Sequence, residues 1–165
     1  MNLIGRFTFV FILASFVLTA DSIAQSSAFE DALNTASALN KRVIVDFYTD
    51  WCKWCRKMDA ESYNDSTVKQ TISDNFVLVR INAEGLDKLT YNGKQMTYAQ
   101  FAQQLKVSGY PTTVFFEPDG SLISFDYNKQ TMHNVPGYFP ASDFEKLLNY
   151  VKDGKYKDTD LSTIM

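Results

Sequence analysis

The run Val43-Ile44-Val45-Asp46-Phe47-Tyr48-Thr49-Asp50-Trp51-Cys52-Lys53-Trp54-Cys55 decides the fold. Its first six residues are β-branched or aromatic, without the polar alternation of a half-exposed strand, so they predict a strand buried on both faces. A helix is expected to open near Cys52 and to continue through Met58. In open α/β sheets the turn leaving the C-terminal end of a buried strand is where reactive groups converge, and both cysteines of the chain stand in that one turn.

Upstream, Ser27-x-x-Glu30 is a capping box, and Phe29, Ala32, Leu33 and Ala36 recur at helical spacing, which predicts a helix to about residue 40. Downstream, a second helical piece starts at Ser66 and carries Val68 and Ile72, and residues 76 to 82 read as the next strand. Residues 83 to 96, with Gly85, Asn92 and Gly93, read as a surface excursion, and residues 84 to 96 as an insertion that could be shortened without unfolding the domain. Thr97-x-x-Gln100 caps a helix bearing Tyr98, Phe101, Ala102 and Leu105. Residues 112 to 117, the turn Pro118-Asp119-Gly120-Ser121 and residues 122 to 126 predict an antiparallel hairpin. Ser142-x-x-Glu145 is read as the cap of a last helix with Phe144, Leu147, Leu148 and Val151 on one face, ended by Gly154 before a polar tail. This order predicts an α/β fold, a mixed four-stranded sheet flanked by helices on both faces.

The composition is that of one globular domain: 165 residues, 45% hydrophobic, with seven Gly and four Pro. Sixteen basic against nineteen acidic residues, with no basic block, leave no electrostatic footprint for nucleic acid. Residues 1 to 6 form a short basic start, and residues 7 to 20 are a nearly unbroken apolar run. As a helix that run spans roughly 21 Å, short of the roughly 30 Å hydrocarbon core of a bilayer. The pattern is that of a signal peptide, with the small residues of Ser22-Ile23-Ala24 setting cleavage after Ala24. The expected product is residues 25 to 165, exported or periplasmic. An uncleaved anchor extended by Leu3 and Ile4 would have to bury Arg6.

Four chemistries compete for Cys52 and Cys55. A structural zinc site wants four ligands, and the chain offers two cysteines and one distant histidine, His133, which reads as a loop residue. Covalent haem attachment wants a histidine directly after the second cysteine, where Arg56 stands. A purely structural disulfide across so short a loop restrains little of the unfolded chain. A redox dithiol fits best. Cys52 at a helix start is stabilised as the thiolate, with Lys53, Arg56 and Lys57 adding positive potential. Cys52 would attack a substrate disulfide, and Cys55, one turn on and more enclosed, would resolve the mixed disulfide.

The strand, tryptophan and dithiol of Val45-Asp46-Phe47-Tyr48-x-x-Trp51-Cys52-x-x-Cys55, together with Gly109-Tyr110-Pro111-Thr112, Val114-Phe115-Phe116 and the Asp119-Gly120 turn, resemble the thioredoxin superfamily. The resemblance covers about residues 28 to 152. Gly137-Tyr138 and Leu148-x-Tyr150-Val151-x-x-Gly154 are most similar to exported bacterial members, including periplasmic sulfur-oxidation thioredoxins and the C-terminal domain of membrane disulfide transporters. It implies a thioredoxin fold and a thiol-disulfide oxidoreductase without bound cofactor or metal. It also implies protein or peptide thiols as partners, a membrane disulfide transporter as electron donor, and a monomer. Peptide binding with little redox turnover, or disulfide formation, are the alternative activities.

The resemblance further makes Asp46 a buried acid that relays the proton of Cys55, the alternative being an acid merely paired with Arg80. Burial raises a carboxyl pKa and makes it a usable base near neutrality. Pro111 would be a cis proline facing the dithiol, leaving the Tyr110 backbone to pair with an extended substrate. Trp51 is expected beside the cysteines, whereas Trp54 either contacts substrate or fills core. Asp59 and Glu61 read as a solvated face. Lys53-Trp54 departs from the family's usual Gly-Pro, and the first family strand is missing.

Overall fold

The computed structural model describes residues 27 to 165, so the signal peptide expected at residues 1 to 24 lies outside the described residues. The chain runs through α1 (Ala28–Leu39), β1 (Arg42–Tyr48), α2 (Lys53–Met58), a π-helical turn (Asp59–Tyr63), α3 (Ser66–Asn75) and β2 (Phe76–Asn82). A small hairpin, β3 (Lys88–Tyr91) and β4 (Lys94–Thr97), precedes α4 (Tyr98–Gln104) and β5 (Thr112–Phe116). The remaining elements are β6 (Phe125–Tyr127), β7 (Gln130–Met132), β8 (Val135–Pro136) and α5 (Ala141–Lys152).

The main sheet has the order β2-β1-β5-β8. β1 pairs in parallel with β2 and antiparallel with β5, which puts Arg80 beside Asp46 on one edge and Thr113 opposite it on the other. Side chains alternate across a strand, so each strand feeds two cores. Val43, Val45 and Phe47 join Val79, Ile81, Val114 and Phe116 under α1 and α4, where Phe29 meets Phe101 at 4.9 Å and Phe116 at 5.3 Å. Ile44 and Phe115 face the other way, into a core closed by Met58, Val68, Phe144, Leu147, Leu148 and Val151. Asp46, Arg80 and Thr113 share this second face by register.

The helix starts follow local chemistry. Ser27 and Glu30 complete the capping box of α1, and Thr97 and Gln100 that of α4. At α5 the expectation fails, because the helix already begins at Ala141 behind Pro140, and Ser142 lies within its first turn. Glu145 is free for a tertiary role instead, accepting from Thr71 Oγ1 at 2.8 Å and so joining α3 to α5.

Three longer-range expectations are also corrected. Residues 83 to 96 are no excursion, since the β3–β4 hairpin turns Leu89, Tyr91 and Met96 into the first core. The turn after β5 forms, but its return strand shrinks to one bridge between Phe116 and Leu122. The chain then leaves the sheet to bury Phe125 edge-on against Tyr150, and β6 pairs with β7 through a turn in which Asn128 and Lys129 take positive φ. β8 fills the vacated edge. The polar tail folds back as well: Leu161 is buried, the Tyr150 hydroxyl donates to Thr159 O at 2.7 Å, and the Tyr156 hydroxyl donates to Glu117. The packed domain therefore extends past residue 152.

The two leucines of the hairpin segment test this correction. Leu89 is buried and Leu86 is 83% exposed. Leu89→Ala is expected to lower the unfolding free energy by about 2 to 4 kcal/mol in chemical denaturation, and Leu86→Ala to change it by less than about 0.5 kcal/mol.

Candidate active site

Cys52 is the N-cap of α2, and Cys52 and Cys55 are joined as a disulfide. The Cys55 N–H donates to Cys52 Sγ at 3.0 Å, a contact that would favour a thiolate there once the bond opens. Both cysteines are 3% exposed, so the greater enclosure expected for Cys55 does not appear in this oxidised state. Their surroundings differ instead. Cys55 and Met58 are the buried residues of α2, one turn apart, and Met58 packs into the second core. The buried side of α2 is thus turned toward the sheet face that carries Asp46.

Asp46 is 1% exposed and forms an ion pair with Arg80 Nε at 3.0 Å. Burial raises its pKa from an ordinary 3.8 to about 6, against the opposing pull of the Arg80 charge and hydrogen bond. Asp46 is therefore paired with Arg80, and burial still leaves its carboxyl a weaker acid than an exposed one. Arg80 loses from burial too, but Asp46 and Asp59 together more than compensate and hold it protonated. Asp59 meets Arg80 at 3.0 Å with both side chains more than a third exposed, so it joins this cluster from its solvated side. Asp59 follows Cys55 by four residues, a spacing that puts both on one side of a helix.

Two aromatic contacts join the dithiol turn to the rest of the surface. Trp51 is 63% exposed, stands edge-on to Tyr110 at 5.9 Å, and donates its indole N–H to the Glu84 carboxylate at 3.1 Å. The Tyr110–Pro111 peptide bond is cis, and Pro111 O accepts the Gly137 N–H at 2.8 Å. Trp54 is 56% exposed and leans on Tyr138 at 5.5 Å, so it fills no core. Lys57 lies 5.3 Å from the Trp54 ring and 4.8 Å from that of Tyr138, whose hydroxyl donates to Glu61 at 2.5 Å. Of the expected site residues, Trp51 meets Tyr110, Trp54 is exposed, Cys52, Cys55 and Pro111 are buried, and Asp46 lies by register on the sheet face of the second core. His133 stays apart, its Nδ1 2.9 Å from Ser124 Oγ. Glu84 is no site candidate in the sequence reading, and Tyr138 enters it only within the Gly137-Tyr138 pair of the family resemblance. Asn82 and Glu84 form an Asx turn that only a known strand end would have revealed.

The family profile described as a thioredoxin-like domain matches residues 29–152. The chain belongs to the thioredoxin-like family. Among curated relatives, thiol:disulfide interchange protein DsbD of Salmonella typhimurium is 31% identical over 121 residues, 72% of this chain and 18% of the relative. The protein of the same name from Citrobacter koseri is 35% identical over 116 residues, 69% of this chain and 18% of the relative. This thioredoxin-like chain therefore spans less than a fifth of the length of the curated relatives it matches. Among solved structures, a thioredoxin-fold protein from Helicobacter pylori superposes with a TM-score of 0.61 at 23% identity, covering 76% of this chain and 77% of that one. The oxidised DsbD C-terminal domain of Neisseria meningitidis gives 0.51 at 22% identity, covering 76% and 97%. These structural likenesses speak to the thioredoxin fold.

The Asp46 environment sets a pH dependence of stability. Between about pH 4 and pH 6 the folded protein keeps a proton that the unfolded chain releases, so stability falls as pH rises through that window, by roughly 3 kcal/mol. Asp46→Asn removes this loss. The variant is expected to exceed the parent by about 2 to 3 kcal/mol at pH 7.5 and to match it near pH 4, as read from denaturation midpoints at both pH values.

Proposed function

We propose that this chain is an exported thiol-disulfide oxidoreductase that reduces disulfides in proteins or peptides through Cys52 and Cys55. The observation that carries the reading is a disulfide at the start of α2, in the turn that leaves the buried strand β1, with an exposed tryptophan next to each cysteine. In the reduced protein, the Cys52 thiolate attacks one sulfur of a substrate disulfide, a mixed disulfide forms, and the other substrate sulfur leaves as thiolate. Asp46 accepts the Cys55 proton. The Cys55 thiolate then attacks Cys52 Sγ, closing the protein disulfide and releasing the second substrate sulfur with both electrons.

Substrate would lie across Trp51 and Trp54 and pair with the backbone at Tyr110, whose N–H and C=O make no hydrogen bond among the described residues. Several features support the rest of the reading. The apolar start of the sequence fits export. Likeness to thiol:disulfide interchange proteins supports the chemistry, and a membrane dithiol carrier would return the electrons. Local charge does not set the direction: thioredoxin and the strongest oxidants differ by about 150 mV, near 7 kcal/mol, and an exposed charge such as Lys53 contributes about 1 kcal/mol or less.

Dithiothreitol-driven insulin reduction and mixed-disulfide trapping test the cycle. Cys52→Ser is expected to abolish turnover, and Cys55→Ser to accumulate mixed disulfides. Equal trapping by both variants overturns the assigned roles. Turnover that survives Cys52→Ser reduces the site to peptide binding, and a reduction potential above about −150 mV, toward that of the strongest oxidants, would make it an oxidase.

A further inference from the structure

Asp46 Oδ1, the Tyr63 hydroxyl and Thr113 Oγ1 are buried without a direct hydrogen-bond partner among the described residues, as are Thr49 Oγ1 and Glu145 Oε2. Such groups are costly to bury unpaired, and two of them, Asp46 and Thr113, stand on one sheet face with Tyr63 packed against the core on that side. The antiparallel register sets Thr113 directly across from Asp46, so both side chains rise from the same face. Tyr63 reaches that face because the chain after α2 continues as the π-helical turn Asp59–Tyr63. This wider turn directs Ser62 inward, where its hydroxyl donates to Phe139 O at 2.5 Å, and lays the Tyr63 ring edge-on against Phe144 at 5.1 Å. π turns of this kind commonly re-aim a side chain at a site.

We propose that Tyr63 is a positioning residue for Asp46, its hydroxyl donating to the otherwise unserved Oδ1 while the Thr113 hydroxyl steadies the phenol oxygen. Resting on the proton-relay reading of Asp46, this adds a partner for the carboxyl atom that Arg80 leaves open. Arg80 from β2 holds Oδ2, Asp59 from the π turn meets Arg80 from outside, and the dithiol lies on the α2 side. Mutual electrostatics agree with the geometry. After burial, the charge of Asp46 is the next cause raising the Tyr63 pKa, Thr113 lowers it, and Tyr63 in turn lowers that of Asp46. The three groups are near enough to shift one another's ionisation yet outside direct hydrogen-bonding alignment in the oxidised state.

A donor to the ionised carboxylate keeps the base from being trapped as its acid by burial. Tyr63→Phe retains the ring against Phe144 and deletes only that donor. Carboxyl-carbon NMR of the reduced protein, where the donor is expected to engage, should show the Asp46 titration midpoint of Tyr63→Phe moved upward by about one pH unit, and that of Thr113→Val moved less in the same direction. In stopped-flow kinetics, resolution by Cys55 at pH 7 should slow by about threefold to tenfold and recover at higher pH, with attack by Cys52 unchanged. Tyr63→Phe added to Asp46→Asn should cost nothing further in resolution. An unmoved midpoint in Tyr63→Phe overturns the assignment, and if that variant does not fold, an unmoved midpoint in Thr113→Val overturns it. A shifted midpoint with resolution indifferent to Asp46→Asn upholds the Tyr63–Asp46 pairing and removes the relay instead.

Discussion

Every layer of this protein exists to cover β1, a strand paired along both edges and roofed on both faces. Because side chains alternate, one seven-residue strand supplies Val43, Val45 and Phe47 to one core and Ile44 to the other. The first core needs α1, α4 and the β3–β4 hairpin to exclude water, and the second needs α2, α3 and α5. Asp46 interrupts the apolar series on the second face. Its position follows from the strand: it comes two residues after Ile44 on that face, with only Tyr48 beyond it before the chain turns up to Cys52.

The free energy of that carboxyl is a contest between burial and a single cation. Arg80 comes from the neighbouring parallel strand, at the register position opposite Asp46, and its charge is shared with Asp59. Desolvation prevails by enough to hold the pKa near 6, and the ion pair keeps it from rising further. A fully compensated pair would leave a permanent anion, and an unpaired buried acid would stay protonated at neutral pH. The observed balance gives a group able to hold or release a proton under physiological conditions.

The surface above is assembled from segments far apart in sequence. Trp51 on Tyr110 and Trp54 on Tyr138 bind the dithiol turn to the loops before β5 and after β8, while Glu84 holds the indole of Trp51 from the end of β2. Trp51 is held by an edge-on ring and a charged acceptor, and Trp54 by a tilted ring, so both exposed indoles are fixed in place.

Local chemistry made much of this legible in the amino-acid sequence: the buried run from Val43, the capping boxes at Ser27 and Thr97, the strand at residues 76 to 82 and the dithiol with its acid six residues before Cys52. Each depends on neighbours within a few residues, where propensity, capping and alternation act. Tertiary packing decided the rest. The hairpin at residues 88 to 97 looked polar and turn-rich because only three of its side chains face inward. Phe125 left the expected return strand because Tyr150, 25 positions away, offered it a buried contact. Asp59 read as solvated because its partner Arg80 arrives from another strand, and Tyr63 carried no signal because its aim depends on a π turn. Sequence alone determined where the cysteine pair stands and which strand leads into it. Where burial and charge from distant segments meet, as around Asp46, only the tertiary structure decided, because desolvation and Coulomb attraction act through space and not along the chain.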